Sequence, residues 1–126
     1  MIAIGIGCRR GASQQAIVAL VRRALTSAQM GGEKAMLCTI MLKQSEAGLV
    51  SAADELEMPV RFYSLEELSA VESKIATRSS RVQSVLGIGS VCEAAALVGA
   101  GDDARLIVHR VVGDGVTCAV AIGSGP

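Results

Sequence analysis

The sequence predicts an α/β fold. It reads as a single-domain, three-layer α/β/α arrangement around a mixed sheet, with parallel early strands and an antiparallel C-terminal hairpin. Two observations carry that prediction. An apolar strand, Ile2 to Ile6, passes through Gly7-Cys8-Arg9-Arg10-Gly11-Ala12 into a helix opened by Ser13, and a second apolar run, Ala35 to Leu42, follows that helix. Strand, helix, strand implies a parallel pair joined by a crossover. Near the other end, Leu106 to Val112 and Val116 to Ile122 flank Gly113-Asp114-Gly115, which is hairpin turn chemistry.

Each element has its own signal. After Ser13, the residues Ile17, Leu20, Val21, Ala24 and Leu25 recur at helical spacing, and Gly31-Gly32 breaks the pattern after Gln29. Ala35 to Leu42 is almost continuously apolar, as in a strand covered on both faces. Ser45 is expected to cap a second helix with Leu49, Ala52, Ala53 and Leu56 on its buried stripe, closed by Pro59. Val60 to Tyr63 is a short strand, and Ser64-Leu65-Glu66-Glu67 is a capping box opening a brief helix. From Val71 to Gln83 the periodicity fades, which predicts an exposed loop carrying Lys74, Arg78 and Arg81. Ser90-Val91-Cys92-Glu93 is a second capping box, before a helix that is apolar all round at Ala94 to Val98 and therefore buried.

Composition narrows the function classes. The chain has 126 residues, 51% of them hydrophobic, enough for one domain with its own core. Aromatic residues are only 2%, too few for the stacking platforms of a nucleic-acid binder. Twelve basic and twelve acidic residues cancel, so no overall field draws the chain to nucleic acid or to a membrane surface. No apolar run is long enough to span a bilayer and the N-terminus has no signal-peptide pattern, so a cytoplasmic protein is expected. Cys8, Cys38, Cys92 and Cys118 form no CxxC pair and the chain has one histidine. No metal site is expected, and the thiols read as reduced, small apolar groups.

The chemistry concentrates in strand-to-helix corners. The turn from Gly7 to Ser13 offers backbone N–H groups, the positive end of a helix and two guanidinium groups, Arg9 and Arg10, that match a carboxylate or phosphate. The competing reading is a pair of solvated arginines in a tight turn. The spacing fits neither a Walker A loop nor GxGxxG, so no nucleotide cofactor is expected. Thr39, Lys43 and Glu46 surround the corner after the second strand, where ligands of open α/β sheets collect; a plain Lys43–Glu46 ion pair is the alternative. Glu93 is explained by its capping box, with a role as base at a third corner as the alternative. Cys8, beside Arg9 and near a helix N-terminus, is a candidate for a lowered pKa. Thr117 reads equally as strand former and ligand contact, and His109 reads as a packed, hydrogen-bonded side chain.

Four blocks of residues together resemble one family. Gly5-Ile6-Gly7-Cys8-Arg9-Arg10-Gly11-Ala12-Ser13, the spacing Thr39, Lys43, Glu46, Gly48, Leu49, the run Ser90 to Leu97, and Val116 to Ala121 are similar to the CobE proteins and the C-terminal domain of CbiG. The resemblance covers essentially the whole chain in order. It implies an α/β domain over residues 1–126 with a role in building the corrin ring of cobalamin. CbiG proteins are cobalt-precorrin hydrolases that open a ring lactone and release acetaldehyde. Met1 falls at the start of their C-terminal domain, as in the stand-alone CobE proteins of the oxygen-dependent pathway.

Precorrins and corrinoids carry acetate and propionate groups around an apolar macrocycle. The expectation is therefore a protein of aerobic cobalamin biosynthesis that binds such an intermediate through its carboxylates. Cys8, Arg9, Arg10, Gly11, Ser13, Thr39, Glu46 and Thr117 are the expected binding residues. The alternative is a hydrolase acting on the ring lactone, with Lys43 or Glu93 as acid or base. A third reading is a non-catalytic subunit, partnered by other enzymes of the pathway.

Overall fold

The computed structural model describes residues 1–30, 34–78 and 88–125. Their strands form one five-stranded sheet of order β3-β2-β1-β5-β4, built from β1 (Ile2–Cys8), β2 (Ala35–Ile40), β3 (Val60–Tyr63), β4 (Arg105–Gly113) and β5 (Val116–Ile122). β1 pairs parallel with β2 and β2 parallel with β3, while β5 runs antiparallel to both β1 and β4. The mixed sheet is the one expected from the sequence. The helices among the described residues are α1 (Gln14–Ser27), α2 (Ala47–Leu56), α3 (Leu65–Ser69) and α4 (Val91–Ala100), with short 3₁₀ turns at Met41–Lys43 and Glu72–Lys74.

Alternation along the strands divides the core into two layers. Ile2, Ile4, Ile6 and Cys8 of β1 pack with Ile17, Leu20 and Val21 of α1 and with Leu49 and Ala52 of α2. Ala3, with Met36, Cys38 and Ile40 of β2, faces Ala94, Ala95 and Ala96 of α4 and Leu68 of α3. Those three alanines are fully buried, so α4 lies tight against the sheet. Gly5 makes that contact: a Cβ there would collide with the carbonyl oxygen of Cys92.

Local chemistry explains the element ends. Ser13 Oγ accepts from Ala16 N–H at 3.1 Å and starts α1. Ser64 and Glu67 exchange both bonds of a capping box and start α3. Asp114 and Gly115 both take positive φ, 26° and 76°, which turns β4 into β5 over two residues.

Several expectations are corrected. β2 stops at Ile40, its last pairing with β3 (Tyr63), and Leu42 stands 72% exposed in the 3₁₀ turn that follows. Glu46, not Ser45, is the N-cap of α2, and its side chain makes no capping bond. The segment after Val71 is not simply an exposed loop: it contains a 3₁₀ turn, and Ile75 is buried against the α4 layer. Gly31-Gly32, Arg81 and Gln83 lie outside the described residues. His109 is exposed rather than packed, on a strand whose pairing slips twice.

Candidate functional site

A hollow of about 570 Å³ opens at the carboxyl ends of β1 and β2. Cys8, Arg9 and Arg10 enter it from the end of β1, and Ile40, Leu42, Lys43 and Glu46 from the end of β2 and the turn beyond. Ser90 and Val91 come from the start of α4, and Arg110, Gly115 and Thr117 from the β4–β5 hairpin. Four separate elements therefore converge there.

The backbone of the arginine turn is pinned. Arg9 N–H donates to the Gly115 carbonyl at 3.0 Å, and Ala12 N–H to the Arg9 carbonyl at 3.1 Å. Gly11 N–H donates to Glu46 Oε1 at 2.8 Å, which fastens the β1 corner to the β2 corner. A Cβ on Gly48 would meet the Ala12 carbonyl, so α2 seats directly on the turn. Arg9 and Arg10 themselves are exposed and line the hollow.

The expected site residues separate into two groups. Cys8, Arg9, Arg10, Lys43, Glu46 and Thr117 line the hollow. Gly11, Ser13, Thr39 and Glu93 do not, because each is engaged elsewhere. Gly11 gives its N–H to Glu46, and Ser13 caps α1. Thr39 is buried and donates its hydroxyl to the Ile6 carbonyl at 2.7 Å, a pin between β1 and β2. Glu93 is fully buried and shares only half of the expected capping box. Ser90 Oγ accepts from Glu93 N–H at 3.4 Å, but the carboxylate turns to Ala76, Thr77 and Arg110 instead of back to Ser90.

Electrostatics correct the reading of Cys8. Burial pushes its thiol up, and the nearby Lys43 charge offsets only part of that, while Glu46 adds to it. The expected lowering fails because Cys8 is packed in the α1–α2 layer, where the cost of desolvating a thiolate exceeds the attraction of the cation.

Arg110 is the one lining cation that sequence reasoning did not single out. On an alternating strand it reads as an ordinary surface arginine, and nothing in the pattern announces the irregular pairing that carries it to the hollow. Arg9, Arg10, Lys43 and Arg110 thus border one opening with Glu46 the sole carboxylate among the lining residues. The ion pairs among the described residues, Arg22–Glu55 and Arg78–Glu72, lie elsewhere. Two other hollows of about 590 and 540 Å³ occupy the opposite rim. One is lined by Asp102 and Asp103, which would repel an anion, and the other sets Glu57 beside Lys34 and Arg61. The four-cation hollow is the candidate site.

The class is thus a mixed α/β domain with a cation-bordered hollow at the carboxyl rim of its parallel strands. Residues 2–121 match the family described as Cobalamin synthesis G C-terminus, and the chain belongs to that family. It is 34% identical to Protein CobE of Sinorhizobium sp over 95% of this chain and 79% of that protein. It is 36% identical to the cobalt-precorrin-5A hydrolase of Priestia megaterium over 97% of this chain, but spans only 32% of that enzyme's length. The crystal structure of CobE, a protein from the cobalamin (vitamin B12) biosynthetic pathway, superposes with a TM-score of 0.83 at 33% identity, covering 96% of this chain and 89% of the other. The cobalamin biosynthesis protein chiG from Agrobacterium tumefaciens str. C58 follows the same fold with a TM-score of 0.75 at 34% identity, covering 98% and 99%. This is a cobalamin biosynthesis protein of the CobE/CbiG kind. Among the described residues no helix is long and apolar enough to cross a membrane.

Proposed function

We propose that the hollow binds a precorrin or corrinoid intermediate by its peripheral carboxylates, to shelter it or hand it on to other enzymes of the pathway. One observation carries this reading: Arg9, Arg10 and Lys43 border a single opening that is also lined by Cys8, Ile40 and Val91. Arginine forks donate to carboxylates in bidentate geometry, and an apolar lining suits the edge of a macrocycle. Membership of the cobalamin family supplies a ligand with both properties.

Titration of the protein with hydrogenobyrinic acid, followed in the visible spectrum, is the test. A saturable shift at one equivalent is expected; an unchanged spectrum at high excess overturns the reading.

A second reading rests on the 36% identity to an enzyme named as a hydrolase. There water adds to the lactone carbonyl of a precorrin as the ring C–O bond breaks, with Lys43 donating a proton to the departing oxygen and the proton of the attacking water passing to solvent. Glu93 suits such chemistry poorly, since both its oxygens already accept backbone N–H groups. Acetaldehyde released from the lactone-bearing intermediate, and lost in Lys43→Ala with folding intact, would favour this reading over simple binding.

A further inference from the structure

Arg110 reaches the hollow by a departure from regular pairing. Val108 pairs with Val120 and Val111 with Cys118, so three steps along β4 oppose two along β5. The extra residue is a bulge, and bulges re-aim side chains and leave a backbone group without its ladder partner. Here the Arg110 N–H donates to Glu93 Oε2 at 2.8 Å. Glu93 is fully buried, and its Oε1 accepts Ala76 N–H at 2.9 Å and Thr77 N–H at 2.8 Å. Its own N–H is held by Ser90 Oγ, and Ser90 lines the hollow. A buried carboxylate is costly unless its oxygens are satisfied, and three N–H groups do that here. One side chain thus fixes the start of α4, the 76–77 segment and the β4 bulge together.

We propose that Arg110 is a further carboxylate-binding residue of the hollow, and that Glu93 is its positioning residue, acting through the bulge and not on the ligand. This rests on the corrinoid reading above. Glu93 is placed to hold the backbone from which Arg110 projects. A cation held in place binds a carboxylate with less ordering cost than one on a free loop.

The experiment is a spectral titration of the whole protein with hydrogenobyrinic acid and, in parallel, with its fully esterified, uncharged form. Arg110→Ala weakens binding of the free acid roughly tenfold and leaves the ester within about twofold, as expected for loss of one charge-assisted contact. Arg110→Lys recovers part of the loss, because charge is kept but the fork is not. Glu93→Gln weakens the free acid in the parent protein and adds little in the Arg110→Ala background, which a purely structural defect would not do. An Arg110→Ala variant that binds both forms normally, or loses both equally, overturns the assignment. Equal effects of Glu93→Gln in both backgrounds overturn the positioning role. Should Glu93→Gln not fold, amide exchange of the parent protein decides: the Arg110 N–H exchanges as slowly as the β5 amides if Glu93 holds it, and rapid exchange overturns the role. Binding weakened by Arg10→Ala but not by Arg110→Ala sinks this inference alone. A parent protein that binds no free acid overturns the corrinoid reading, and the inference with it.

Discussion

Arg9 and Arg10 stand exposed at the rim while the backbone beneath them is hydrogen-bonded to the hairpin and to its own turn. Removing either side chain deletes a charge without opening the core. Arg9→Ala and Arg10→Ala should each weaken a polycarboxylate ligand roughly tenfold at low ionic strength, with folding stability within about 0.5 kcal/mol of the parent. The difference should shrink as salt is added, because exposed charges are screened. Spectral titration at two ionic strengths, beside urea unfolding, measures both. Residue identity alone made these arginines and Lys43 legible, since cations in a glycine-bracketed corner have few apolar uses. Thr39 and Glu93 stand apart from the hollow for a shared reason. A polar side chain near a corner can point to a ligand or inward to backbone, and only packing decides which. Thr39 answers the Ile6 carbonyl and Glu93 answers three N–H groups.

At the scale of elements, the contact between β1 and α4 is set by small residues on both sides. Gly5→Ala would drive a methyl into the Cys92 carbonyl, a backbone atom that cannot rotate away. A destabilisation of about 3 kcal/mol is expected, at the upper end of overpacking costs, and read from the urea midpoint. Because α4 also carries Ser90 and Val91 to the hollow, the variant should lose ligand affinity as well. The alanine run by itself marks this helix as buried, and the Asp114-Gly115 turn marks the hairpin. The β4 bulges left no such mark. A bulge adds one residue without altering composition, so its position depends on what the freed N–H can find, and that partner is Glu93, distant in sequence.

For the molecule as a whole, all four cysteines are buried and unpaired. Burial pushes the Cys38 thiol up to about 12 and raises those of Cys8, Cys92 and Cys118 as well. An unfolded chain ionises its thiols near pH 9, whereas the folded one keeps them protonated. Above that pH the folded state holds more protons than the unfolded state. The contribution of Cys38 is thus fully present below about pH 9 and is lost as pH rises toward 12. That thiol lowers stability by at most about 1.4 kcal/mol per pH unit in that window. Urea midpoints from neutral to strongly alkaline pH should therefore fall steeply, and Cys38→Ala should flatten the fall. A midpoint independent of pH across that range would contradict the buried-thiol core.

The sequence by itself determined the class of the fold, the order of its helices and strands, the hairpin turn, the family and three of the cations. Those depend on local periodicity, turn stereochemistry and residue type, all written along the chain. Tertiary structure alone decided which polar groups face the hollow and which face the protein. It turned Glu93 inward, delivered Arg110 from a bulged strand and kept Cys8 a neutral thiol. Such outcomes are set by distances between residues far apart in the chain, where hydrogen-bond satisfaction and desolvation compete and no local pattern records the winner.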